Sequence, residues 1–191
     1  MSIYLGLVHY PVYNRNHETV ASAVTTVDIH DIARLSRAYG VKRFFVVTPL
    51  TDQALLVKKI IAHWTTGYGS SYNMHRKEAL ELVSVVSSIS EAVERIKKTE
   101  ESAPLLIATS ASRHKGNPVS FEELARIISV GRTVFLLFGT AWGLEENIFL
   151  NADYVLEPVT CATGYRHISV RSAVAIIMDR LIQKSQHETF A

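Results

Sequence analysis

The chain has 191 residues, 48% hydrophobic and 20% charged, enough to bury one sizeable core, so a single domain over residues 1–191 is the default expectation. A formal net charge of +2 falls well short of the dense Lys/Arg stripes that mark a nucleic-acid binder by charge alone; it permits an RNA partner without requiring one. The lone Cys161 excludes an internal disulfide, no apolar run approaches the ~20 residues of a membrane span, and the opening Met1-Ser2-Ile3 lacks a secretory pattern, so a cytoplasmic protein with no membrane partner is expected.

Residues 3–8 read as the first strand, apolar on both faces. A long polar loop over 10–26 follows, containing Pro11, Asn14, Arg15 and Asn16, and loops of this length in a compact domain are more often functional than idle. The spacing then predicts a helix over 28–39, a strand over 43–47, a helix over 51–65 and a strand over 82–86. A helix over 90–98 starts at Ser90 before Glu91, and a strand covers 105–108. The helix over 120–129 opens on Ser120-Phe121-Glu122-Glu123, a capping box because Glu123 stands three residues after the cap. A strand over 134–138, a helix over 144–150, a strand over 154–156 and a helix over 169–184 complete the chain. Repeated β/α alternation with doubly apolar strands predicts the α/β class, a parallel sheet flanked by helices.

The last helix is apolar all round from Ala173 to Met178, which a surface helix would not tolerate. It is expected either at a subunit interface or clamped between the sheet and another element. Arg171, Asp179 and Arg180 flank this centre and are expected to face solvent or each other.

Two segments have the composition of a ligand site. Phe138-Gly139-Thr140-Ala141-Trp142-Gly143-Leu144-Glu145-Glu146 follows a buried strand and precedes a helix, where glycines let the backbone approach a ligand. On spacing alone it reads equally well as an ordinary turn with Trp142 as a core plug. It is not a dinucleotide fingerprint, because its glycines are four apart, and no G-x-x-x-x-G-K-[ST] phosphate loop occurs. In the second segment, Tyr154-Val155-Leu156-Glu157-Pro158-Val159 runs through a small-residue loop with Gly164 into His167-Ile168-Ser169-Val170-Arg171. Open parallel sheets bind ligands outside the carboxyl ends of their strands, and both segments leave such ends.

These segments resemble the second and third motifs of the SPOUT (α/β-knot) methyltransferase superfamily. Residues 26–41, a helix carrying Arg34 and ending in Tyr39-Gly40-Val41, are similar to its first motif. The chain looks like an uncharacterised bacterial branch related to the tRNA guanine methyltransferases. The resemblance implies S-adenosylmethionine held in a C-terminal trefoil knot, an RNA substrate (tRNA or rRNA) methylated on ribose or base, and a homodimer whose active sites are completed by the neighbour. It implies that Thr109 closes one side of the cofactor pocket, that Phe138, Gly139, Trp142 and Gly143 form its floor, and that Leu156, Pro158, His167, Ile168 and Ser169 surround adenine and ribose. Arg34 takes the place of the arginine that ribose-methylating members use at the target. Ser169 stands where those members have Asn, and Ala141-Trp142 where a Glu is common. The alternative is therefore a knotted RNA-binding module that keeps the cofactor pocket and has lost catalysis.

The chemistry asks for little beyond placement. A sulfonium is already a good leaving group, and positioning can supply ~7–11 kcal/mol, against ~10²–10⁴-fold from a general base. Arginine, with a pKa above about 12, is a poor base but a good bidentate grip on phosphate. His9 and His167 are candidate bases, but a hydrogen-bonded structural role is the expectation for each. Cys161 lacks an activating setting, and neither His30-Asp31 nor His75-Arg76-Lys77 has a partner at metal-ligand spacing. Gly139→Val is expected to abolish cofactor binding with the fold largely intact.

Overall fold

The computed structural model describes residues 1–188; the last three residues of the expected 1–191 domain lie outside the described residues. Strand β1 (Ser2–Val8) pairs in parallel with β4 (Arg43–Val47) on one side and β8 (Thr133–Gly139) on the other. With β5 (Val83–Val86), β6 (Leu105–Ala108), β7 (Pro118–Val119) and β9 (Tyr154–Leu156) they form a seven-stranded parallel sheet of order β5-β4-β1-β8-β6-β9-β7. All six expected strands are present. The seventh, β7, is two residues long and begins with a proline, too short for any period to show.

Strand side chains alternate between two buried layers, as a sheet covered on both faces requires. Ile3, Leu5 and Leu7 join one cluster with α1 (Thr26–Ala38), α2 (Thr51–Thr65), α4 (Met74–Leu80), α6 (Phe121–Ser129) and α8 (Val170–Glu188). Tyr4 and Val8 join the other, with α5 (Ile89–Glu100) and α7 (Glu146–Asn151). Among the described residues no helix is long and apolar enough to cross a membrane.

The helices follow their caps. Ser120 and Glu123 make the expected reciprocal box, Glu123 N donating to Ser120 Oγ (3.2 Å) and Ser120 N to Glu123 Oε2 (2.9 Å). Helix α5 starts one residue before the expected Ser90, capped by Ser88, whose Oγ accepts from Glu91 N at 3.1 Å. The one-turn helix α3 (Gly69–Tyr72) and α4, capped by Asn73, occupy a stretch with no helical expectation, because Thr65-Thr66-Gly67-Tyr68-Gly69 interrupts the apolar period. The 10–26 loop folds back as a small hairpin of β2 (Val12–Tyr13) and β3 (Thr19–Val20).

The apolar centre of α8 is explained within the chain. Val174, Ile177, Met178 and Leu181 are buried, and the helix is clamped between α1 and α6 against β8. Arg171, Asp179 and Arg180 stay part-exposed, but they contact those neighbours rather than each other, which refines the expectation. Arg171 reaches Asp28 (3.2 Å) and Asp31 (3.5 Å), Asp179 accepts from the Tyr39 hydroxyl (3.2 Å), and the Arg180 guanidinium lies 5.3 Å from the Phe121 ring centroid.

The strand order is re-entrant. From β6 the chain runs out to β7 at the edge, returns to place β8 between β1 and β6, then inserts β9 between β6 and β7. Such crossing is rare among ordinary sheets. It sets the carboxyl ends of β8, β6 and β9 side by side.

Candidate cofactor pocket and active site

Three loops distant in sequence leave those neighbouring ends, after Gly139, Ala108 and Leu156. Thr109 is buried, and both its N–H (3.1 Å) and its hydroxyl (2.8 Å) donate to Leu137 O, so its side chain locks the start of the β6 loop onto β8. Phe138 and Leu156 are buried, leaving mainly their backbone available at the strand ends, and Pro158 is half-buried. Ile168 is half-buried, while His167 and Ser169 are exposed. The His167 ring meets Tyr165 edge-on at 5.6 Å, and Ser169 Oγ bonds Ser172 Oγ at 2.8 Å beside the first turn of α8.

The 139–143 turn is tightly specified. Gly143 N donates to Thr140 O (2.9 Å), and Ala141 (φ 51°) and Gly143 (φ 105°) both have left-handed backbone. A non-glycine residue there is uncommon and signals a conformation imposed by its surroundings. The hairpin supplies them: Tyr13 N donates to Gly143 O (2.9 Å), Trp142 N to Tyr13 O (3.0 Å) and Glu146 N to the Tyr13 hydroxyl (3.2 Å). The polar loop thus straps the glycine turn. Trp142 is 64% exposed, which excludes the core plug and sets the indole at the rim.

A side chain at Gly139 meets the protein before it meets a ligand. Its Cβ would lie 2.6 Å from Leu144 N and 2.9 Å from Gly143 C, inside the turn's own backbone. The expectation that Gly139→Val spares the fold is corrected accordingly. Around Gly143 and Gly164, by contrast, nothing lies within 4 Å of an added Cβ. These open backbone positions fit a cofactor gripped largely through main-chain groups.

A hydroxyl relay beneath the strap escaped the sequence reading. His9, fully buried after β1, bonds Ser22 Oγ through Nδ1 (2.9 Å); Ser22 Oγ bonds Thr140 Oγ1 (2.5 Å), and the Thr140 hydroxyl donates to Val8 O (2.9 Å). With the Thr140 proton committed to Val8, Ser22 donates to Thr140 and His9 Nδ1–H donates to Ser22. Nε2 is left as a buried acceptor with no hydrogen-bond partner among the described residues. Burial pushes the His9 pKa down to about 4, against an upward pull from Asp28. Between pH 6.5 and about 4 the unfolded chain therefore takes up a proton that the folded chain refuses. His9 contributes its full stability above about pH 6.5 and loses roughly 3 kcal/mol of it as the pH falls towards 4. Urea midpoints at neutral and acidic pH test this: His9→Gln should flatten the dependence, and an unchanged pH slope would contradict it.

Arg34 stands on the outward face of α1, exposed, with no hydrogen bond or ion pair among the described residues. Arg37, in the next turn, is held by Glu78 at 3.2 Å. Through Asp28, Asp31 and Arg171, the helix that carries Arg34 is tied to α8 immediately after the 157–169 segment. The fold thus gathers Thr109, Phe138, Gly139 and Leu156 at adjacent strand ends, while Arg34 bonds to none of them.

Residues 2–183 match the family described as SAM-dependent RNA methyltransferase. A tRNA (guanine-N(1)-)-methyltransferase of Oleidesulfovibrio alaskensis is 42% identical over 181 residues, covering 95% of this chain but only 42% of that protein. An uncharacterized protein of Aquifex aeolicus is 33% identical over 186 residues, 97% of this chain and 90% of its own length. The SpoU methyltransferase AviRb from Streptomyces viridochromogenes shares the fold, with a TM-score of 0.62 at 14% identity over 98% of this chain and 61% of that one. Family match and fold agree with the resemblance read from the motifs: the chain belongs to the SAM-dependent RNA methyltransferase family, with S-adenosylmethionine as its cofactor.

Proposed function

We propose that the chain, as one domain in the cytoplasm, methylates a nucleotide of tRNA, with rRNA as the other substrate in reach of this reading. The observation that carries it is the convergence of the Gly139, Ala108 and Leu156 loops at adjacent parallel strand ends, beside a helix with an unengaged arginine. In support of tRNA stands the name of the relative that is 42% identical, a tRNA (guanine-N(1)-)-methyltransferase, although this chain spans less than half of its length. The re-entrant order of β6, β7, β8 and β9 supports the trefoil knot.

On this reading Thr109, Phe138, Gly139, Gly143, Leu156 and Pro158 hold the cofactor against the strand ends, and Trp142, His167, Ile168 and Ser169 line its outer rim. When bound, S-adenosylmethionine supplies a sulfonium methyl that needs no further activation. The protein's work is then to hold the acceptor atom in line and to exclude competing geometries. Arg34 grips the target phosphate or orients the nucleophile through its planar fork. Incubating the chain with unmodified tRNA and separately with rRNA, then analysing nucleosides by mass spectrometry, tests the assignment. One methylated nucleoside from tRNA is expected, and its fragmentation separates base from ribose; product confined to rRNA would overturn the tRNA assignment.

We further propose a two-fold dimer in which Arg34 serves the partner's pocket. Val27, 52% exposed on α1, and the half-buried Ile176 on α8 leave apolar surface on the helices that frame Arg34. Sedimentation at micromolar concentration should give twice the chain mass. A monomer with undiminished transfer would contradict it.

A further inference from the structure

The surface built by α2, α3 and α4 carries features for which the cofactor site has no use. Tyr68 and Tyr72 stack on one another, ring centroids 6.2 Å apart and planes 23° from parallel, yet remain 77% and 74% exposed. Two large rings left in water forgo the burial such side chains ordinarily provide, and their mutual contact recovers only part of it. The second feature is charge. From Gln53 to Lys77 there is no Asp or Glu, while Lys58, Lys59, Arg76 and Lys77 give four positive charges, against +2 for the whole chain.

This surface is continuous with Arg34. The Arg76 guanidinium lies 4.4 Å from the Trp64 ring centroid, and the rings of His63 (5.0 Å) and His30 (5.7 Å) meet Trp64 edge-on, so α1, α2 and α4 share one junction. Arg34 is one helical turn beyond His30. Burial and then the Arg76 charge press the His30 pKa down, the Asp31 carboxylate pulls against them and Arg34 adds to the depression, so both guanidinium groups act on this one ring.

We propose that the α2–α4 face is a platform for a single-stranded stretch of the RNA substrate, with bases stacking on Tyr68 and Tyr72 and phosphates drawn to Lys58, Lys59 and Lys77. Exposed aromatic rings among cations are the combination that holds unpaired bases, since every base offers a π-face and every nucleotide a negative charge. A second copy of the chain would set this carboxylate-free segment against its own like charge. An acidic protein would satisfy the lysines but give the stacked rings no matching partner.

The inference rests on RNA being the substrate, and the test separates the two. Binding of a fluorescent, unstructured oligoribonucleotide is followed by polarisation, alongside calorimetry with S-adenosylmethionine and sedimentation. Tyr68→Ala/Tyr72→Ala should weaken oligonucleotide binding roughly tenfold or more with cofactor affinity unchanged, and Tyr68→Phe/Tyr72→Phe should restore it. Lys58→Ala/Lys59→Ala should lower the slope of log affinity against log salt by about 1.4, at ~0.7 per phosphate contact. Full-strength binding by the alanine variant overturns the platform and leaves the methyl-transfer reading untouched, because that reading is scored on the activity of the unaltered chain. A change of sedimentation without loss of RNA affinity also overturns it, marking the face as a contact between copies. Tyrosine-dependent binding by a chain that methylates no RNA supports the platform and sinks only the transfer reading.

Discussion

Arg34→Ala should lower methyl transfer to RNA by ~10²-fold or more while leaving S-adenosylmethionine affinity nearly unchanged, the pattern expected when positioning of the acceptor is lost. The guanidinium is exposed and has no hydrogen-bond or ion-pair partner among the described residues, so its removal should disturb no interaction that holds α1 in place. The helix is anchored elsewhere, by the Arg171 contacts to Asp28 and Asp31 and by the Thr25 cap. Arg34→Lys should rescue little, because a point charge does not reproduce a planar fork. Arg37 provides the control on the same helix. Its exposed pair with Glu78 contributes about 0–1 kcal/mol, so Arg37→Ala should cost little stability and keep most activity. Equal activity of the two alanine variants on one RNA would reduce Arg34 to a surface residue.

Gly139→Val should cost both cofactor binding and stability. Even the first carbon of the new side chain would approach Leu144 N to 2.6 Å, and backbone cannot rotate away as a side-chain tip can. Opening the turn also pulls on buried Leu144, its bridge to Val12 and the bonds from Tyr13. Overpacking of this kind costs roughly 1–3 kcal/mol, with more where backbone must move. Urea denaturation and calorimetry on the same variant should therefore show a lowered midpoint together with lost S-adenosylmethionine affinity. Lost affinity at unchanged stability would mean that the position faces ligand space after all.

The two outcomes differ because of what a sequence can and cannot display. The six strands of three to seven residues were legible, since burial on both faces writes itself as an unbroken apolar run, and Ser120 with Glu123 announced a helix start through a local rule. The loops of the candidate site stood out by position, as glycine-bearing turns after such strands. What Gly139 touches was not, because Leu144 closes over it only when the hairpin straps the turn. Likewise His9, Ser22 and Thr140 form one relay whose Ser22–Thr140 link alone joins residues 118 apart in sequence, through side chains too common to stand out singly. The partners of Arg171 and Asp179 followed from the clamping of α8 between two helices, and no periodicity within α8 names its neighbours. Trp142 kept two readings open until its exposure was known.

The central claim is that this chain is itself a catalyst, even though it spans 42% of the longer relative that is named a tRNA methyltransferase. Its most direct test supplies the chain alone with methyl-labelled S-adenosylmethionine and total tRNA, and counts label in the RNA for the unaltered protein and for Arg34→Ala. The account predicts steady incorporation by the first and at least ~10²-fold less by the second, at equal cofactor affinity. Tight cofactor binding with no label entering any RNA would contradict it and leave a binding module in the shape of an enzyme.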